Sequence, residues 1–374
     1  MADQTASRAL SRPPFSTGLP MPVRILFVFG LLYLFMLAIN MLGTAFELMG
    51  SGVAEQLFHA TENPISGLMI GLLVTAIVQS SSTTTSLIVG LVGSGALSFA
   101  HAVPMIMGAN IGTTVTNMIV SLGHISRGSE FKRAFAGSTV HDFFNLCTVI
   151  VILPLEMMFG IVSISAHIVE KVYSGFGGLT FTSPVKGMTQ PVGNLIAALV
   201  GNNGWLVAIV AVVLLFIALK YIVTLLKAMV LSKVERFFQV YIFRTPALGL
   251  LLGIGLTVLV QSSSITTSLV VPLLAAGVVS LTQVYPYFLG ANVGTTITAF
   301  LASFAVGSHE AVSIAFAHFL FNVYGIAIFW PLKKIPITLA QKLAEWTSRS
   351  RAIPFIYIFV VFFAIPGLIL FFMG

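Results

Sequence analysis

Apolar residues fill this chain in long blocks rather than in a period of two. The blocks run 23–46, 64–99, 101–122, 134–160, 204–231, 245–280, 282–306, 311–332 and 353–373. Each is long enough for a helix to cross a hydrocarbon core of about 30 Å. The strand-length alternation of a β-barrel does not occur. The pattern predicts an all-α polytopic membrane protein. Two blocks carry polar interruptions at their centres, QSSSTTTS at 79–86 and QSSSITTS at 261–268.

Composition strengthens the reading. A mean hydropathy of +1.03, with 57% apolar and 8% charged residues, excludes an ordinary soluble protein. The net charge of +7 sits between the blocks, where membrane topology needs it, and does not imply nucleic acid. One cysteine, Cys147, excludes an intrachain disulfide. Residues 1–22 read as a cytoplasmic N-terminal tail, and the block that follows is too long for a cleaved signal peptide.

The interrupted blocks are copies of one another. Gln79 and Gln261 lie 182 positions apart, as do Pro64 and Pro246, Pro104 and Pro286, and Asn110 and Asn292. Over 64–116 and 246–298, 26 of 53 positions are identical, far above what two unrelated apolar segments would share. After a five-residue deletion His141 pairs with His318 and Asn145 with Asn322. The chain therefore divides into a first half, 23–160 with a hairpin at 64–99, and a second half, 204–332 with a hairpin at 245–280. Between them 161–203, rich in Gly, Ser, Thr and Pro, reads as an extracytoplasmic surface loop. Residues 333–374 hold an amphipathic segment, at 337–347, and a terminal transmembrane helix.

Basic residues set the orientation. Arg8, Arg12 and Arg24 put the N-terminus in the cytoplasm, while 47–63 has three Glu and no Lys or Arg. Arg127, Lys132, Arg133, Lys233, Arg236, Arg244, Lys333 and Lys334 then fall inside only if each QSSS segment enters and leaves on one face. Each is thus expected to be a re-entrant helical hairpin, and the two repeats to have inverted topology. By the same count the last span leaves the C-terminus outside.

Inverted repeats with broken helices at mid-membrane are the architecture of secondary transporters. Non-helical backbone at that depth must be buried in protein or line a wet cavity. Freed N–H groups attract anions, and Ser, Thr and Gln oxygens can meet an oxyanion or a cation. A second duplicated element, GANIGTT at 108–114 and GANVGTT at 290–296, adds Asn110, Thr113, Thr114, Asn292, Thr295 and Thr296. Its glycines suit a further break or a close approach of helices.

Residues 64–120 and 246–306 hold no Asp, Glu, Lys or Arg. An anion bound there would need its charge offset by co-bound cations, and a neutral oxygen cage favours sodium over a proton. Asp142 is a carboxylate inside a predicted span, hence a functional candidate or a helix cap; its repeat partner is Phe319. His141 and His318 read as structural. Lys220 and Lys227 read as snorkelling to the cytoplasmic interface. Ser94 in a GSG with His101 or His141 is a weak hydrolase pattern.

VQSSSTTTSLIVGLV (78–92), MGANIGTTVTNMIV (107–120), SEFKRAFAGSTVHDFFN (129–145) and VQSSSITTS (260–268) resemble the type II sodium-dependent phosphate cotransporters. The resemblance covers roughly 60–335. It implies a substrate region at Gln79, Ser80, Ser81, Ser82, Gln261, Ser262, Ser263 and Ser264. It also implies sodium ligands among Thr83, Asn110, Thr113, Thr114, Asp142, Asn292, Thr295 and Thr296. Animal members carry a large disulfide-bonded loop between the halves, absent here. Electrogenic members resemble AGDIF where this chain reads AEQLF at 54–58, with Gln56 in place of the Asp. The compact form suits a bacterial plasma membrane.

The expected function is sodium-coupled symport of inorganic phosphate by alternating access, with sodium as co-substrate, no organic cofactor and no enzymatic activity. The rivals are symport of another small anion, sulfate or a dicarboxylate, and an ion channel. A homo-oligomer is compatible with either.

Overall fold

The computed structural model describes residues 20–126, 128–177, 184–241, 245–347 and 349–373. Among these every regular element is a helix. Among the described residues seven helices are long and apolar enough to cross a membrane, and an eighth crossing results if 55–61 and 64–78, bent by 101°, are counted together. Residues 1–19 of the tail lie outside the described part, and the first helix already begins at Met21.

The first half runs α1 Met21–Met49, α2 Ser51–Thr61, α3 Pro64–Val78, α4 Ser81–Gly93, α5 Phe99–Gly112, α6 Thr114–Leu122 and α7 Gly128–Phe159. Polar caps cut the apolar blocks into these pieces. Asn63 accepts from the Ile65 N–H at 2.9 Å, with Pro64 at the first helical position, and Ser98 accepts from the His101 N–H at 3.2 Å.

The stretch 161–203 corrects the loop expectation. Its described residues form α8 Ile161–Gly177 and α9 Pro184–Leu199. Val162, Ala166 and Glu170 recur every four residues as the buried stripe of α8. Glycine and hydroxyl residues hid that stripe from a reading by composition. α8 packs on a later helix through Tyr324 Oη, which donates to Ser165 Oγ at 2.6 Å, and α9 packs on α1.

The second half runs α10 Gly204–Tyr241, α11 Pro246–Val260, α12 Ser263–Ser268, α13 Val271–Ala276, α14 Leu281–Val306 and α15 His309–Phe329. Its differences from the first half have causes in the sequence. Where α4 is continuous, α12 and α13 are separate, because Pro272 stands at the position of Gly90 and has no N–H to donate. Conversely α14 runs unbroken through GANVGTT, whereas the first copy parts at Thr113.

The glycines of both copies allow backbones to touch. A Cβ on Gly108 would meet the Leu68 carbonyl, and one on Gly290 would meet the Leu250 carbonyl. One on Gly112 would lie 2.6 Å from Leu72 O, and one on Gly294 2.7 Å from Ile254 O. Gly-x-x-x-Gly spacing puts both glycines of each pair on one face, so α5 packs directly on α3 and α14 on α11. Close approach is the service these glycines perform in both copies.

After α15 comes α16 Lys334–Thr347, the amphipathic segment. Its apolar face, including Ile337, Ala340, Leu343 and Ala344, is buried against α7. Lys132 Nζ donates to Glu345 Oε1 at 2.8 Å along that contact. The terminal span, 352–373, contains a π-helical turn at Val360–Ala364.

Candidate functional site

The two QSSS segments fold alike. Gln79 ends α3 at φ 58, ψ 26, and Gln261 ends α11 at φ 58, ψ 25. A residue other than glycine in the left-handed region costs roughly 1–2 kcal/mol. Both glutamines occupy it with side-chain help, since the amide of Gln79 donates to Ala76 O and that of Gln261 to Val258 O at 2.6 Å. Each next residue is an extended N-cap. Ser80 Oγ accepts from the Thr83 N–H at 3.2 Å, and Ser262 Oγ from the Ile265 N–H at 3.3 Å. The chain thus stops one helix, reverses through a single left-handed residue and starts another.

The two turns meet. Ser82 Oγ lies 3.5 Å from the backbone oxygen of Gln261. Thr116 Oγ1 donates to Gln79 Oε1 at 2.9 Å, and its repeat partner Thr298 donates to Gln261 Oε1 at 3.3 Å. Between the turns is an open cavity of about 340 Å³. All eight residues of the two QSSS motifs line it, together with Thr83 and Thr116. Val78 and Ile265 flank the turns, and the remaining wall is α10, through Phe216, Leu219, Lys220, Val223 and Thr224. That wall corrects two expectations. Lys220 borders the cavity instead of only snorkelling, and the surroundings of the turns are not free of charge. The side chain of Lys227 lies outside the described residues.

The other predicted oxygens gather elsewhere. His141 bonds Asn292 Oδ1, and Asn292 Nδ2 donates to Asn145 Oδ1 at 2.8 Å. Asn145 Nδ2 donates to Asn110 O at 3.0 Å, and His318 Nε2 lies 3.4 Å from Asn110 Oδ1. Thr114 Oγ1 is 3.0 Å from His141 Nδ1. Thr113, Thr295 and Thr296 donate back to their own helices, to Ala109 O, Ala291 O and Val293 O. These residues are buried and do not line the cavity. Of the sodium candidates only Thr83 stands beside the QSSS oxygens.

Asp142 is also buried and apart from the cavity. Its Oδ2 accepts from Tyr357 Oη of the terminal span at 2.8 Å, three residues before the π-helical turn, and Oδ1 has no hydrogen-bond partner among the described residues. Gln56 lies on a different concavity, beside Trp205 and Ala208. Ser94 donates to Leu91 O, His101 pairs with Thr61 and His141 with Asn292, so the hydrolase pattern is not assembled.

Sequence reasoning missed Thr116, Thr298 and Asn117, whose Oδ1 accepts from Thr267 and Ser268 at 3.0 Å each. For Thr116 and Thr298 the signal was present, because they end the duplicated stretch in register.

The fold and the cavity define a multi-pass helical membrane protein whose two related halves converge on a hydroxyl-rich pocket. A family model described as Na+/Pi-cotransporter matches residues 34–183 and 214–340. Sodium-dependent phosphate transport protein 2A of Rattus norvegicus is 33% identical over 427 residues, covering 93% of this chain and 67% of the rat protein. The 2A protein of Mus musculus is 34% identical, covering 90% and 66%. Sodium-dependent phosphate transport protein 2B of Homo sapiens is 31% identical, covering 92% and 64%. The chain belongs to the Na+/Pi-cotransporter family, and it spans about two thirds of the length of these relatives. No solved structure matches it.

Proposed function

We propose that this protein imports inorganic phosphate with sodium by alternating access, in a plasma membrane with its N-terminus in the cytoplasm. The observation that carries the reading is the convergence of both QSSS turns on one cavity. Hydroxyls of Ser81, Ser82, Ser263 and Ser264 would donate to phosphate oxygens, replacing water lost on entry. The N-terminus of α4, thirteen residues long, adds N–H groups from a direction that favours an anion.

A phosphate dianion in such a pocket needs more than dipoles, because an uncompensated buried charge costs several kcal/mol. Sodium travelling with the substrate supplies that compensation and couples the two fluxes. Thr83 and the QSSS oxygens are the sodium ligands we propose. The buried His–Asn set would be the joint on which the halves move. The repeats are taken as inverted and the QSSS segments as re-entrant, so that one hairpin gates each side.

The test is uptake of labelled phosphate by proteoliposomes under an inward sodium gradient, with potassium as control. Ser81→Ala and Ser263→Ala are run beside the parent. Sodium-dependent uptake lost in both variants, with monodisperse protein, supports the reading. Uptake of sulfate or a dicarboxylate in place of phosphate would keep the mechanism and replace the substrate. No sodium dependence for any anion would overturn it.

A further inference from the structure

Neither 64–116 nor 246–298 contains a Lys or Arg, yet the cavity between these stretches has a lysine on its wall. Lys220 comes from α10, outside the duplication, and lies within the candidate span 204–226. Phe216, Lys220 and Thr224 recur at intervals of four, so one face of α10 presents an aromatic ring, an ammonium and a hydroxyl to the pocket. Thr224 Oγ1 donates to the Lys220 carbonyl at 2.8 Å, so on this face the ammonium is the donor left for an oxyanion. Among the described residues the Lys220 ammonium takes part in no ion pair.

A lysine within a membrane span is costly unless it reaches the interface, pairs with an acid or faces a wet cavity. Among the described residues no acid is paired with Lys220, and apart from the hydrophobic Val78, Phe216, Leu219, Val223 and Ile265 the cavity it lines is built from hydroxyls and amides. Its three N–H donors on a flexible stem suit an oxyanion whose position changes as gates open and close.

We propose that Lys220 is a substrate-binding residue, the fixed positive charge that meets the transported oxyanion from the side opposite the QSSS turns. This deepens the phosphate reading and rests on it. One ammonium does not neutralise a dianion, so the residue lowers the charge that sodium must offset without removing the need for sodium. It also makes the site one-sided, since the lysine belongs to the second half alone.

The experiment measures initial uptake by proteoliposomes under an inward sodium gradient for the parent, Lys220→Gln, Lys220→Met and Lys220→Arg. Loss of the charge should raise KM for phosphate about tenfold or more, the equivalent of about 1.4 kcal/mol of binding. The maximal rate should stay within about threefold and Lys220→Arg should recover most of the KM, since it keeps a charged donor. In the parent protein, phosphate should slow reductive methylation of Lys220, read by peptide mass spectrometry, a measurement that needs no variant to fold. If the parent carries sulfate or a dicarboxylate in place of phosphate, the substrate reading fails. The same KM series on that anion then decides the role of Lys220. Unchanged KM in both neutral variants, or methylation indifferent to the transported anion, would overturn the proposal while sodium-driven uptake stands. A parent that takes up no anion with sodium overturns both.

Discussion

His141 of α7 bonds Asn292 of α14, and His318 of α15 faces Asn110 of α5 with 3.4 Å between Nε2 and Oδ1. Each histidine thus reaches across to the asparagine of the other half. The exchange is the duplicated sequence read twice, His141 with His318 and Asn110 with Asn292. All four residues are buried, so the seam between the halves is polar and shielded from the surface.

Breaking that seam should cost stability. Asn292→Ala removes the acceptor of His141 and the donor to Asn145, and an unpartnered buried polar group costs roughly 1–3 kcal/mol. A double-mutant cycle of His141→Ala and Asn292→Ala, read by thermal unfolding in detergent, should give a coupling of about 0.6 kcal/mol and at most about 1.7 kcal/mol, the average and maximum for bonds between membrane helices. Strict additivity would mean the seam is held by packing alone.

The glycines make a sharper steric prediction. Ala at Gly290 would drive a methyl into the Leu250 carbonyl and to 2.9 Å from Ile254 N, both rigid backbone. Separating α11 from α14 should lower stability by about 1–3 kcal/mol. Gly255→Ala, on the same α11 with nothing within 4 Å of its Cβ position, should cost nothing and gain up to about 1 kcal/mol of helix propensity. Unfolding midpoints of the two variants check this, and equal losses would contradict the packing described.

The site was largely legible in the sequence where duplication kept register. Gln79 and Gln261, with the six serines that follow them, could be paired by counting, and a polar run inside an apolar block has few structural uses. Lys220 was not legible, because a lysine near a span's end reads as snorkelling until its neighbours across the pocket are known. Nor was the bond from Tyr357 to Asp142, which joins residues far apart through the terminal span. The helices α8 and α9 were hidden by composition, and in α8 hydroxyl residues masked a buried stripe with a four-residue step. Pro272 was visible in the sequence, and its effect on the second hairpin follows from the missing N–H alone.

Acid should loosen α8. Glu170 is buried, and desolvation alone would raise its pKa. Hydrogen bonds from His309 and Ser174, with the nearby imidazoles of His309 and His167, outweigh that and hold the carboxyl below its ordinary value of 4.5. A depressed carboxylate stabilises the fold fully above its unfolded value, and the contribution disappears as pH falls through the lower folded value. The contact of α8 with α15, followed by hydrogen exchange, should therefore weaken as pH falls below 4.5. Glu170→Gln should remove that step; an unchanged acid response would place its origin in another group.

Gln79 allows backbone strain to be separated from function. Its φ of 58 favours glycine, while its amide joins Ala76 O and Thr116 Oγ1. Gln79→Ala keeps the strain and loses both bonds, whereas Gln79→Gly relieves the strain and loses the same bonds. The glycine variant should thus be the more stable of the two by about 1 kcal/mol. Both should lose sodium-driven uptake alike, because neither has an amide to fix Thr116 at the mouth of the cavity. Thermal unfolding and uptake of the same preparations test this together. If glycine restores transport as well as stability, the left-handed turn alone is what the hairpin requires, and the glutamine side chain serves only to hold it.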